Sequence, residues 1–195
     1  MKSRNNGVRA RLLIFGVLAA ALILCSFFSE RLTPYDPYLQ DLTIAKQAPS
    51  AEHLLGTDRY GRDMLSRVIA GSRASIFSTL LLVAVTAILG TAVGVLCGWV
   101  GGMTDTVLMR VSDVFLAFPG LVFALAVAGT LGGGLQNAMI ALAAISWPKY
   151  ARIARSQTLS QKETQWMKAV RLSGSGTGKI IWKHILPNIL GPILV

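Results

Sequence analysis

Few residues in this chain are of types that do chemistry. Its two histidines, His53 and His184, are far apart in sequence, and neither has a metal-ligating partner at helical spacing. Cys25 and Cys97 sit inside apolar stretches without C-x-x-C spacing and read as small buried hydrophobes. Two clusters are more pointed. Gly174-Ser175-Gly176-Thr177-Gly178-Lys179 has the residue types of a phosphate cradle, but neither the spacing of a P-loop nor a strand before it. Gly56-Thr57-Asp58, followed by Gly61-Arg62-Asp63, sets carboxylates beside a guanidinium. Those types suit a charged turn and cap: Asp58 can cap the following turn, and Asp58, Arg62 and Asp63 can pair locally. No catalytic constellation emerges, so the chain is expected to hold neither a metal nor a bound cofactor and not to be an enzyme.

The elements around these clusters explain why. The 195 residues are 53% hydrophobic and 14% charged, with mean hydropathy +0.56; soluble domains carry about 25% charged residues. So few charges cannot cover a water-soluble surface, and a lipid-facing protein is expected. The net charge of +10 does not point to nucleic acid, because the cations lie between long apolar runs instead of sharing a face with aromatics. The tendency of Lys and Arg to stay on the cytoplasmic side of a membrane accounts for it.

Three apolar runs carry no charge: Leu12 to Ser29 (18 residues), Ala74 to Thr104 (31 residues) and Val114 to Pro148 (35 residues). One crossing needs about 20. The first reads as an uncleaved span, since Cys25-Ser26-Phe27-Phe28-Ser29-Glu30 lacks a small-x-small cleavage site. In the second, Gly98, Gly101 and Gly102 suggest a helix ending near Cys97. As one helix the third would be roughly 52 Å long, and Leu131-Gly132-Gly133-Gly134-Leu135-Gln136-Asn137 breaks it into a hairpin of two spans. With no carboxylate or lysine inside that hairpin, a proton relay through it is not expected.

The chain thus divides into 1–29 (N-terminus and span one), 30–73 (a polar loop with a short amphipathic helix), 74–147 (spans two to four), 148–187 (a basic loop) and 188–195 (the opening of a fifth span, cut short). Segment 30–73 has six basic and six acidic residues, whereas the N-terminus, Arg110 and segment 148–187 carry four, one and eight cations. By the positive-inside rule the N-terminus and 148–187 are cytoplasmic and 30–73 is extracytoplasmic.

Within 148–187 a short amphipathic helix is expected over Gln161 to Ser173, with Trp166, Ala169, Val170 and Ser173 on one face. The Gly174–Gly178 stretch ends it, and a second short helix follows from Lys179 to Leu186. Such a hairpin can lie on anionic lipid or insert as a knob into a partner's groove. The run Ala169, four residues, Gly174, eleven residues, Leu186-Pro187 resembles the cytoplasmic loop of ABC importer permeases, which reads Glu-Ala-Ala, three residues, Gly, nine residues, Ile, one residue, Leu-Pro. Here Lys168-Ala169-Val170 stands for the triplet, and Lys168, Val170 and His184 depart from its Glu, Ala and Ile. Leu55 to Asp63, then Ser66-Arg67 and Gly71-Ser72-Arg73, with Leu116-Ala117-Phe118-Pro119 and Tyr150-Ala151-Arg152, are similar to the second permease subunit of the peptide/nickel transport group.

That resemblance implies an all-α, polytopic type I permease fold, normally of six spans. It implies a subunit of an ATP-driven importer of nickel or small peptides in a prokaryotic inner membrane. Trp166, Lys168, Ala169, Val170, Gly174, Leu186 and Pro187 would couple it to ATPases, while Gly56, Thr57, Asp58, Gly61, Arg62 and Asp63 would form a structural motif before span two. The implied partners are a homologous second permease, two ATPase subunits that use the ATP, an extracytoplasmic binding protein and membrane lipid. The alternative is a membrane scaffold with a lipid-binding basic hairpin.

Overall fold

The computed structural model describes the backbone of residues 2–194 and the side chains of 9–193; the side chains of Lys2 and Arg4, and Val195, lie outside the described residues. The described residues are overwhelmingly helical, and the chain divides into two compact units, Met1–Leu80 and Leu81–Val195.

The first unit opens with α1 (Lys2–Phe27), whose apolar side chains from Leu12 to Leu24 face outward. Its stretch Arg9–Phe27 is long and apolar enough to cross a membrane. Leucine, alanine and isoleucine with an internally satisfied backbone are what a lipid-facing helix requires. A single turn, α2 (Ser29–Leu32), follows, then a loop with one 3-10 turn (Leu42–Ile44), and the first part of α3 (Met64–Val100). The Ser26 hydroxyl donates to the Leu22 carbonyl (2.9 Å) and lies 3.1 Å from Ser72 Oγ, tying α1 to α3; the Arg73 guanidinium pairs with Glu30. The amphipathic helix expected before the second span is not separate. It is the first turns of α3, because Asp63 caps that helix and no breaker lies between Met64 and the apolar run.

The second unit contains the rest of α3, then α4 (Gly102–Ala117), α5 (Gly120–Thr130), α6 (Gly134–Lys162), α7 (Gln165–Leu172), α8 (Thr177–Ile180), a wide π turn (Ile181–Ile185) and α9 (Leu186–Leu194). α3 packs closely against α6. An added Cβ at Gly90 would sit 2.5 Å from the Trp147 carbonyl oxygen, at Gly94 2.3 Å from that of Ala151, and at Gly98 2.8 Å from Thr158 Cβ. Opposite them Ala151, Ala154 and Thr158 are fully buried. Glycines four apart on one helix, small residues on the other, let the backbones touch, which is how helices associate where lipid removes the hydrophobic drive. Gly98 is thus a packing residue, and α3 ends three residues beyond Cys97, at Val100, where Gly101 takes a φ of 72°.

The third apolar run breaks twice. Phe118-Pro119 separates α4 from α5 with an 89° bend, since proline cannot donate and holds the residue before it extended. Gly132 and Gly133, both at positive φ, separate α5 from α6. α5 has only 11 residues, about 16 Å, half a membrane crossing. Among the described residues two helices are long and apolar enough to span, or three if the bent α4–α5 pair counts as one. The two full crossings expected over 114–148 are in the structure the end of α4, the short α5 and the start of α6, which runs on through Pro148 to Lys162.

Candidate functional site

The segment read as a coupling loop is built outward from a core. Val95, Ala154, Met167, Ile180, Ile185, Ile189 and Ile193 form one buried cluster, with Trp99, Tyr150, Val170, Ile181 and Leu186 packed against it. Met167 has no exposed surface. It therefore anchors α7 to α3, α6 and α9, and Val170, one turn on, continues that inner face.

The other faces of α7 are open. Trp166 is 37% exposed and its ring lies 5.9 Å from that of His184; Lys168, Ala169 and Leu172 are exposed, Leu172 to 89%. The expected face of Trp166, Ala169, Val170 and Ser173 is therefore split. Val170 turns toward the core and the other three outward, because Met167, absent from the expected face, takes the inward position. The helix is also shorter than expected: α6 extends to Lys162 and a break at Glu163–Thr164 precedes α7.

Gly174 stops α7. Its φ is 76°, it donates to the Arg171 carbonyl (3.1 Å), and open space surrounds it. This is the left-handed residue that ends many helices and that a Cβ disfavours. The chain then re-enters a helix at Thr177 and stays helical to Leu194. The second short helix, expected over Lys179 to Leu186, instead begins at Thr177 and runs on through Pro187. Leu186 N–H donates five residues back to Ile181, and the Asn188 amide donates to the His184 carbonyl at 2.6 Å. The widened turn makes room for a proline that cannot donate. Leu186 is half-buried in the core cluster and Pro187 is exposed.

Charge fixes this assembly to the rest of the second unit. Lys162 Nζ donates to the carbonyls of Trp99 (2.7 Å) and Gly98 (3.4 Å) at the C-terminal end of α3, where helix carbonyls lack partners. The Arg171 guanidinium sits 4.7 Å from the centre of the Trp99 ring. Arg155 grips Asp105 of α4 with two hydrogen bonds, and Arg152 reaches Asp113 at 2.5 Å. Two successive turns of α6 thus hold α4.

The second motif lies in the first unit. Asp58 accepts from the backbone of Tyr60 (2.8 Å) and Arg62 (3.1 Å) and from Arg62 Nε (2.8 Å). The Arg62 side chain holds that carboxyl down at about 2, outweighing its desolvation. Asp63 caps α3 through Ser66 N–H (2.7 Å) and pairs with His53 Nδ1 (3.0 Å). Burial pushes its carboxyl up, but the hydrogen bonds from Ser66 and His53 bring it below the usual range. Thr57 faces Asp63 in an antiparallel bridge and its hydroxyl accepts from Gln47 N–H (2.9 Å). Gly56 and Gly61 both have positive φ, and a Cβ on Gly61 would lie 1.6 Å from the Asp41 oxygen. All six motif residues therefore close a turn onto loop 41–48. The sequence reading leaves His53 without a partner because Asp63, the residue it pairs with, lies ten residues away across a fold-dependent gap.

Comparison with known proteins places the chain among membrane transport proteins. Residues 90–195 match the model of the family described as binding-protein-dependent transport system inner membrane component. The chain is 40% identical over 179 residues to the probable D,D-dipeptide transport system permease protein of Escherichia coli (strain K12), covering 92% of this chain and 60% of that protein. It is 37% identical over 179 residues to the nickel transport system permease protein of the same strain, covering 92% and 65%. It is also 37% identical over 179 residues to the dipeptide transport system permease protein of Alkalihalophilus pseudofirmus, covering 92% and 59%. The chain thus spans about three fifths of the length of the curated relatives it matches. With a largely helical structure in its described residues and a family match over residues 90–195, the chain belongs to the family of binding-protein-dependent transport system inner membrane components.

Proposed function

We propose that this chain is a permease subunit of an ATP-driven importer that brings nickel or small peptides into the cytoplasm. Two ATPase subunits bind and hydrolyse the ATP, a homologous second permease completes the path, and an extracytoplasmic binding protein delivers the substrate. The N-terminus and segment 148–187 face the cytoplasm, and the loop carrying Gly56 to Asp63 faces outward.

One observation carries this reading: α7 is anchored by Met167 yet leaves Trp166, Lys168, Ala169 and Leu172 uncovered. A short helix with an exposed part-apolar face, pinned to the membrane helices through its other face, transmits a push from a docked partner to α3, α6 and α9. Gly174 sets its end and hence its angle. The names of the relatives, which concern dipeptides, peptides, glutathione and nickel, support the substrate range.

Purification of the full-length subunit from native membranes in mild detergent, followed by identification of what comes with it, tests the reading. ATPase subunits and a second permease are the expected companions. Recovery of the subunit with lipid alone would favour the scaffold alternative instead.

A further inference from the structure

Leu159, Lys162, Glu163, Lys168 and Arg171 line a pocket between the end of α6 and α7. Three cations and one carboxylate give it a local charge of about +2, and among the described residues none of the three cations pairs with a carboxylate. Lys162 and Arg171 are drawn there by Trp99, through its carbonyl and its ring. Trp99 is the next-to-last residue of α3. From Ala74 to Val100 that helix runs 27 residues without a charge, about 40 Å, the thickness of a bilayer with its headgroups. Trp99 therefore falls at headgroup level, where tryptophan is enriched.

From this we infer that the pocket is a binding site for the phosphate of an anionic phospholipid headgroup. Lys168 and Arg171 supply the charge, Lys162 closes the inner side, and Leu159 meets the start of the acyl chains. Basic pockets between membrane helices hold anionic headgroups in this way. The site uses the flank of α7 toward α6; Lys168 borders both it and the docking face, of which Trp166, Ala169 and Leu172 stay open to a partner. It rests on membrane insertion of α3 and not on the coupling role of α7.

The test is native mass spectrometry of the complete transporter released from nanodiscs of phosphatidylethanolamine with phosphatidylglycerol. The subunit should retain phosphatidylglycerol in preference to phosphatidylethanolamine, and Lys168→Gln with Arg171→Gln should weaken retention about tenfold or more. Lys179→Gln with Lys183→Gln removes the same charge from the same segment outside the pocket and should leave retention unchanged. Equal loss in both pairs would mean diffuse attraction and would overturn the site. So would displacement of the lipid by millimolar inorganic phosphate, which would make the ligand free phosphate. Retention unchanged in the K168Q/R171Q pair while ATPase subunits dissociate would assign these cations to the protein partner and also overturn it. Absence of ATPase subunits from every sample would count against the coupling reading alone.

Discussion

Arg155 of α6 holds Asp105 of α4 in a two-pronged ion pair, with Nε 2.5 Å from Oδ1 and the terminal nitrogen 2.6 Å from Oδ2. The planar guanidinium fits a carboxylate this way and lysine does not. One turn before it, Arg152 repeats the contact with Asp113. Together they fix α4 to α6 just before the bend at Pro119.

Asp105→Asn should therefore loosen α4. The expected cost is about 2 kcal/mol, read as a lower thermal midpoint of the purified protein. Asp105→Asn combined with Arg155→Gln should cost less than the sum of the two single changes. Strict additivity would show that the pair does not act as a unit.

Of the three glycines that α3 turns to α6, Gly94 leaves the least room for a Cβ. Gly94→Val has no space for its side chain, because an added Cβ already lies 2.3 Å from the Ala151 oxygen. Overpacking of this kind costs about 1–3 kcal/mol or more, and the yield of folded, protease-resistant protein should fall sharply. Gly71→Val, where nothing lies within 4 Å, should leave that yield near wild type. Similar yields for the two would remove the glycine stripe from the packing account.

The loop around Asp58 should be acid-sensitive within a defined window. Its carboxyl lies at about 2 in the folded loop, against a usual value of 3.8. A depressed carboxylate stabilises the fold above its ordinary value, and that contribution is lost as pH falls through the folded one. Asp63 is shifted the same way by Ser66 and His53, against its burial. Amide protection in residues 41–63, taken relative to the intrinsic exchange rate at each pH, should therefore fall between about pH 4 and pH 2, and Asp58→Asn should lower it already at neutral pH. Protection constant across that interval would deny Asp58 its role in closing the turn.

How much of this was legible in the sequence differs by feature. Asp58 and Arg62 stand four apart on a tight turn, so their pairing follows from spacing. His53 and Asp63 meet only because Gly56 and Gly61 turn the chain back, and nothing local announces it. The four-residue spacing of Gly90, Gly94 and Gly98 is a visible packing signal, but it does not name α6 as the partner. Pro119 marks a break that an uncharged run conceals, because hydropathy counts charges and not missing donors. On α7 the positions of Trp166 and Val170 at helical spacing suggested a shared face. Met167 decided otherwise, since in a helix attached to apolar neighbours the long flexible side chain fills the interior and rotates its neighbours outward.

Gly174 joins local conformation to the proposed function. At a φ of 76° with open space around it, Gly174→Val fits sterically outside but strains the backbone by about 1–3 kcal/mol, re-aiming α7 without touching the α3–α6 core. The direct measurement is ATP hydrolysis and labelled-substrate uptake by the complete transporter in proteoliposomes, wild type against Gly174→Val. The expected result is normal membrane insertion and continued ATP hydrolysis, with uptake reduced about tenfold or more, in line with that strain. Uptake at the wild-type rate per ATP hydrolysed would contradict the claim that α7 and Gly174 couple the two.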